Sequence, residues 1–209
     1  MTNTQLNDYN QLYILLKHCD YKKVYYRQKN NRIAEKMFAY FEFKIGMLVD
    51  HISMALMEDE IHGSPIVPRC PDNVMISVTD AKIKEIQTLI ITHYISIVES
   101  SLREKIVKQT KKKKKILLND ILIYMHKKEK ITDKELYLWT GIRHIRNAIV
   151  HYDSKPTVSM KFKYKFKPYE LGNNFTIKLV KDDGIFTQDL FQDFRVMQWI
   201  TYNVECMIK

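Results

Sequence analysis

From Phe38 onward the apolar residues Phe38, Phe41, Ile45, Leu48, Ile52, Ala55 and Leu56 recur chiefly at steps of three and four. That spacing lines one face of a helix and demands a partner to cover it. A second segment, from Thr79 or Asp80 to Thr110, repeats the demand. Ile83, Ile86, Ile90, Tyr94 and Ile97 form one stripe, and Ile91, Ile95, Leu102 and Ile106 add a strip on its flank. Such a helix must be covered on more than one side, so the chain is predicted to be mainly α, a bundle of long helices.

The other elements are placed around these two. Leu6–His18 reads as a short helix, and the first long helix spans Lys22–Glu60 with a break near Asn30 and Asn31. Residues 61–76 hold three of the five prolines and read as a loop. Helix returns from Ile116 to Lys130. Thr132 and Glu135 have capping-box spacing, which starts the next helix near Asp133. Tyr152, Asp153, Lys155 and Pro156 read as its end. The period then changes to two: Val158, Met160, Phe162, Tyr164 and Phe166 alternate with polar residues, and a second alternating run follows Phe175. The two runs are expected to form a small antiparallel β-hairpin over 157–181, before a C-terminal helix capped by Thr187 or Asp189 (187–208). The whole chain, 1–209, is expected to be a single domain, with N-terminal helices in 1–62 and core helices in 77–153.

Composition limits the function classes. With 45% hydrophobic residues and five glycines the chain can bury a real core. No 18-residue apolar run exists, so no membrane span is expected. The start of the chain lacks the pattern of a secretory signal, and Cys19, Cys70 and Cys206 read as free thiols in a reducing cytoplasm. No CxxC or HxxxH spacing supports a zinc site, and neither metal nor cofactor is expected. Asp50 and His51, beside the first stripe, read as helix surface. The net charge of +10 favours polyanionic partners such as RNA or an acidic protein.

The chemistry concentrates in Arg143–Asp153, RHIRNAIVHYD. Arg146, Asn147 and His151 combine a fixed cation, an amide and an imidazole that can take and give a proton near neutral pH. A guanidinium grips phosphate oxygens in a fork and stays charged. Cleavage of RNA by its own 2′-hydroxyl needs such a base, acid and clamp. On a helical wheel Leu138, Ile142, Ile145, Ile149 and Tyr152 line the core face. Asn147 lies about 180° from that face, His151 about 140° from it, and Arg146 about 140° from His151. Arg143, Asn147 and His151 follow one i, i+4, i+8 row. A joint role for Arg146 and His151 therefore requires long side chains converging on a cleft, or residues from two chains. By itself, His151 also fits a helix-end imidazole that complements the C-terminal dipole.

The residues Arg146, Asn147 and His151 resemble the R-N-x-x-x-H form of the R-x4-6-H motif of the HEPN superfamily. The likeness covers roughly residues 77–153, including an earlier helix with Glu99 and Ser100. It implies a HEPN-type helical bundle, a homodimer with a composite site, and a metal-independent endoribonuclease of the toxin or abortive-infection kind. A partner antitoxin or regulatory protein is implied as well. Arg146, Asn147 and His151 become the catalytic candidates, with Glu99 and Arg143 in support. Glu99 has a second reading, as the i,i+4 partner of Arg103. The alternative function is a non-catalytic RNA- or protein-binding module within a larger defence or toxin–antitoxin complex. Some family members carry a Tyr two places after the His, where this chain has Asp153.

Two lysine groups are candidates for RNA binding. Lys111, Lys112, Lys113, Lys114 and Lys115 are consecutive, a run that ought to fray a helix or form a loop. Lys161, Lys163, Lys165 and Lys167 share one face of the first strand. They either track a phosphate backbone or protect a strand edge from mispairing.

Overall fold

The computed structural model describes residues 3–63, 66–69, 74–110, 116–151, 156–164, 175–179, 181–182 and 195–209. Among them the protein is mainly α, with six helices: α1 (Asn3–Gln28), α2 (Arg32–His62), α3 (Val78–Thr110), α4 (Leu118–Lys127), α5 (Asp133–His151) and α6 (Arg195–Ile208). Four short strands accompany them: β1 (Ile66–Arg69), β2 (Val74–Ser77), β3 (Met160–Tyr164) and β4 (Phe175–Leu179).

The first helix is longer than its apolar pattern suggested. No Gly or Pro interrupts residues 19–21, and Lys23 pairs with Asp20 at 2.9 Å across one turn, so the helix runs on to Gln28. Its end falls at the expected break. Asn30 adopts φ 53°, Asn31 N–H bonds to Tyr26 O at 3.0 Å, and Asn30 N–H bonds to Arg27 O at 3.0 Å. That is a Schellman turn, with asparagine tolerating the left-handed position. Asn31 Oδ1 then accepts the Ala34 N–H at 3.2 Å and caps α2.

Residues 61–76 do not form a plain loop. β1 and β2 pair antiparallel, Ile66 opposite Ser77 and Arg69 opposite Val74. The β-branched Ile66, Val67, Val74 and Ile76 favour the ladder, and a two-stranded ribbon has only edges, where Pro68 is tolerated. After α5, β3 pairs antiparallel with β4, Met160 opposite Leu179 and Tyr164 opposite Phe175. The connection between β3 and β4 lies outside the described residues. Lys181 N–H bonds to Ser159 Oγ at 2.9 Å and Asp182 N–H to Pro156 O at 3.0 Å, which closes the ends of the pair.

One core links the helices. Phe38, Phe41, Ile45, Leu48, Ile52 and Ala55 are all buried, as their spacing required. Ile90, Ile91, Tyr94, Ile95, Val98, Leu102 and Ile106 are buried on α3. Phe41 stacks on Tyr94 at 3.9 Å between ring centres, and the Tyr94 hydroxyl meets Thr201 Oγ1 of α6 at 2.7 Å. Burial makes that contact valuable, because an unpaired hydroxyl there would lose its solvation without return. Tyr26 stacks on Phe38, locking α1 to α2. Glu205 of α6 accepts Lys22 Nζ at 2.6 Å and contacts His18 Nε2 at 3.3 Å, tying α1 to α6. Burial alone would raise its carboxyl pKa, but the bonds from His18 and Lys22 outweigh burial and hold it below the ordinary range.

No described helix is long and apolar enough to cross a membrane. Cys19 is a buried free thiol and Cys206 an exposed one; Cys70 lies outside the described residues. Asp50 and His51 lie on the exposed surface of α2.

Candidate active site

The motif helix α5 is anchored before it reaches the motif. Thr132 Oγ1 accepts the Glu135 N–H at 3.2 Å, and Glu135 Oε2 accepts the Thr132 N–H at 2.8 Å, the reciprocal bonds of the expected capping box. The box is locked to α6: Asn203 Nδ2 donates to Glu135 Oε1 at 2.7 Å, and Asn203 Oδ1 accepts the indole N–H of buried Trp139 at 2.6 Å. Trp139 also packs on Trp199 at 5.2 Å. Sequence reasoning missed this bridge, because its two halves lie more than sixty residues apart. An Asn on a helix that otherwise reads as buried was the available signal.

Leu138, Trp139, Ile142, Ile145 and Ala148 face the core, so the opposite side of α5 carries Asn147 and His151. Asn147 is half-buried and His151 exposed, in keeping with their places on the wheel. Arg146 is half-buried on the flank, and its side chain closes the gap. Nη1 donates to Asn147 Oδ1 at 3.1 Å and lies 3.5 Å from His151 Nε2. The three motif residues thus converge at the C-terminal end of α5.

His144 lies two turns before His151 on α5. It is half-buried, and burial together with the Arg143 charge lowers its pKa from the ordinary imidazole value, which favours the neutral ring. Arg143 Nε is buried without a hydrogen-bond partner among the described residues. Glu99 pairs with Arg103 beside the α3–α4 joint. Its carboxylate receives the Arg103 guanidinium, the i+4 neighbour, while Arg103 Nε donates to Ile116 O at 2.7 Å. It braces the point where the chain re-enters α4.

Of the lysine candidates, Lys161 is exposed on β3 and pairs across the ladder with exposed Lys178. Lys163 stands two residues on, opposite Thr176. The Tyr137 hydroxyl donates to Lys161 O at 3.4 Å, which sets this strand against α5. Lys165, Lys167 and the Lys111–Lys115 run lie outside the described residues. No family model, curated protein or solved structure matches the chain.

Proposed function

We propose that this chain is a metal-independent endoribonuclease with a HEPN-type site that a second copy completes. The observation that carries the reading is the Arg146 guanidinium set between Asn147 Oδ1 at 3.1 Å and His151 Nε2 at 3.5 Å. A contact of 3.5 Å is at the long limit of a hydrogen bond, so a substrate hydroxyl displaces it at little cost.

In the proposed reaction His151 Nε2 takes the proton of the 2′-hydroxyl. The 2′-oxygen bonds to phosphorus while the bond to the 5′-oxygen breaks. The departing oxygen takes a proton from the imidazole of the second copy or from water. The products are a 2′,3′-cyclic phosphate and a 5′-hydroxyl. Arg146 stabilises the charge that gathers on the phosphorane oxygens, a task for fixed donors already aimed at the site. Asn147 holds the guanidinium in place. The Lys161–Lys178 face leads phosphate toward α5. The resemblance of the motif suits a toxin or abortive-infection effector, with an antitoxin or regulatory protein as its restraint.

The test is cleavage of single-stranded RNA by the purified full chain in excess EDTA. RNA with 2′-deoxyribose at the cut position must survive. His151→Ala should lower the rate at least about a hundredfold, the scale for losing a general acid–base group. Full activity in that variant, or strict dependence on added Mg²⁺, refutes the proposal. RNA that is bound but never cut points to a binding module instead.

A further inference from the structure

Away from the motif, the ends of α3, α4 and α6 enclose a cleft of about 400 Å³, within the size range of small-molecule sites. Tyr124 lines it with a half-buried ring, and Met125 and Met207 border it as buried residues. Lys105, Lys128, Lys130 and Lys209 also line it, and among the described residues lining it there is no Asp or Glu side chain. From this arrangement we infer a binding site for a nucleotide-class ligand, its phosphates on the lysines and its base against the Tyr124 ring. The inference is independent of the nuclease reading, which uses the other end of α5.

The lysine lining is built rather than incidental. Lys105 Nζ donates to Met207 O at 2.9 Å and Ile208 O at 2.5 Å, which fixes the ammonium in the wall. An ammonium has three donors, so one remains for a ligand. Burial, and then the charge of Lys130, lower the Lys105 pKa, as expected where cations are crowded in a partly dry site. Lys128 and Lys130 flank a Schellman turn: Glu129 N–H bonds to His126 O and Lys130 N–H to Met125 O, both at 2.9 Å. Glu129 adopts φ 55°, a left-handed conformation that a residue with a side chain takes at a cost. Lys128 also lies over the Tyr124 ring at 6.0 Å.

A rival explanation is that the lysines only complement the C-terminal ends of α4 and α6. Each end carries about −0.5 charge. Four ammonium groups leave roughly two to three positive charges in excess, enough for a diphosphate. The Tyr124 ring favours a nucleotide over a bare inorganic anion.

Calorimetry on the full chain near physiological salt tests this with ADP, pyrophosphate and adenosine. ADP should bind more tightly than either fragment. Lys128→Gln with Lys130→Gln should weaken ADP at least about tenfold, the scale for losing charge-assisted bonds. Lys17→Gln with Lys29→Gln removes the same charge from α1 and should leave ADP binding unchanged. Competition by an oligodeoxynucleotide with a 5′-phosphate, but not by its 5′-hydroxyl form, would identify a strand end as the source; competition by neither identifies a free nucleotide. No ADP binding, equal loss in both double variants, or pyrophosphate binding as tightly as ADP would overturn the assignment.

Discussion

The Arg146 guanidinium lies 3.5 Å from His151 Nε2, although five helical positions put their backbones about 140° apart around α5. Arginine's length closes the gap, and Asn147 Oδ1 holds the same nitrogen at 3.1 Å. A lysine at position 146 would keep the charge but lose the fork. Arg146→Lys is therefore expected to slow single-turnover cleavage about a hundredfold, the usual effect of losing a fixed transition-state donor. RNA affinity should change little. A lysine variant as fast as the native protein would show that charge alone suffices.

Assembly follows from the same helix. The core takes Leu138, Trp139, Ile142, Ile145 and Ala148, while Val150 is 48% exposed beside exposed His151. A second copy covering this face should give a particle of about twice 25.0 kDa by sedimentation without RNA. Val150→Arg should shift it toward monomer and lower activity together. A monomer that cleaves at the full rate would refute the composite site.

Lys161 and Lys178 oppose each other across β3 and β4. Like charges directly opposite destabilise a strand pair. Changing both to Gln should raise stability by about 0.2–1 kcal/mol in urea unfolding. It should also flatten the salt dependence of RNA binding by about 1.4 in log–log slope, at about 0.7 per lost phosphate contact. A stability gain with an unchanged slope would make these lysines guards of a strand edge only.

His144 gives the fold a pH dependence. Burial and Arg143 lower its pKa from 6.5 in the folded state. Well above the unfolded value of about 6.5 the imidazole is neutral in both folded and unfolded chains and its contribution is constant. Below 6.5 the unfolded chain takes up the proton first, so stability falls until the lowered folded value is passed. His93, lowered by burial and by Lys44, acts in the same direction. Urea unfolding across this window should show a shallower fall in His144→Gln than in the native protein. Identical pH profiles would mean the His144 environment is not retained in solution.

What the sequence determined by itself is what neighbouring residues control. The Phe38–Ala55 stripe, the Asn30–Asn31 break and the Thr132–Glu135 box depend on groups within a few positions of each other, and all three stand as read. The wheel also placed Asn147 and His151 away from the core face, because helix geometry is fixed per residue. The tertiary structure decided the rest. Ribbon β1–β2 forms because two short segments find each other, which prolines in the local pattern concealed. The brace of Glu99 on Arg103 draws its purpose from Ile116, across the lysine run. The bond from Trp139 to Asn203 and the lysine cleft bring together residues from distant helices. Periodicity reports which side of a helix is buried, but not which partner buries it, since burial of apolar area has no direction and only packing chooses the neighbour.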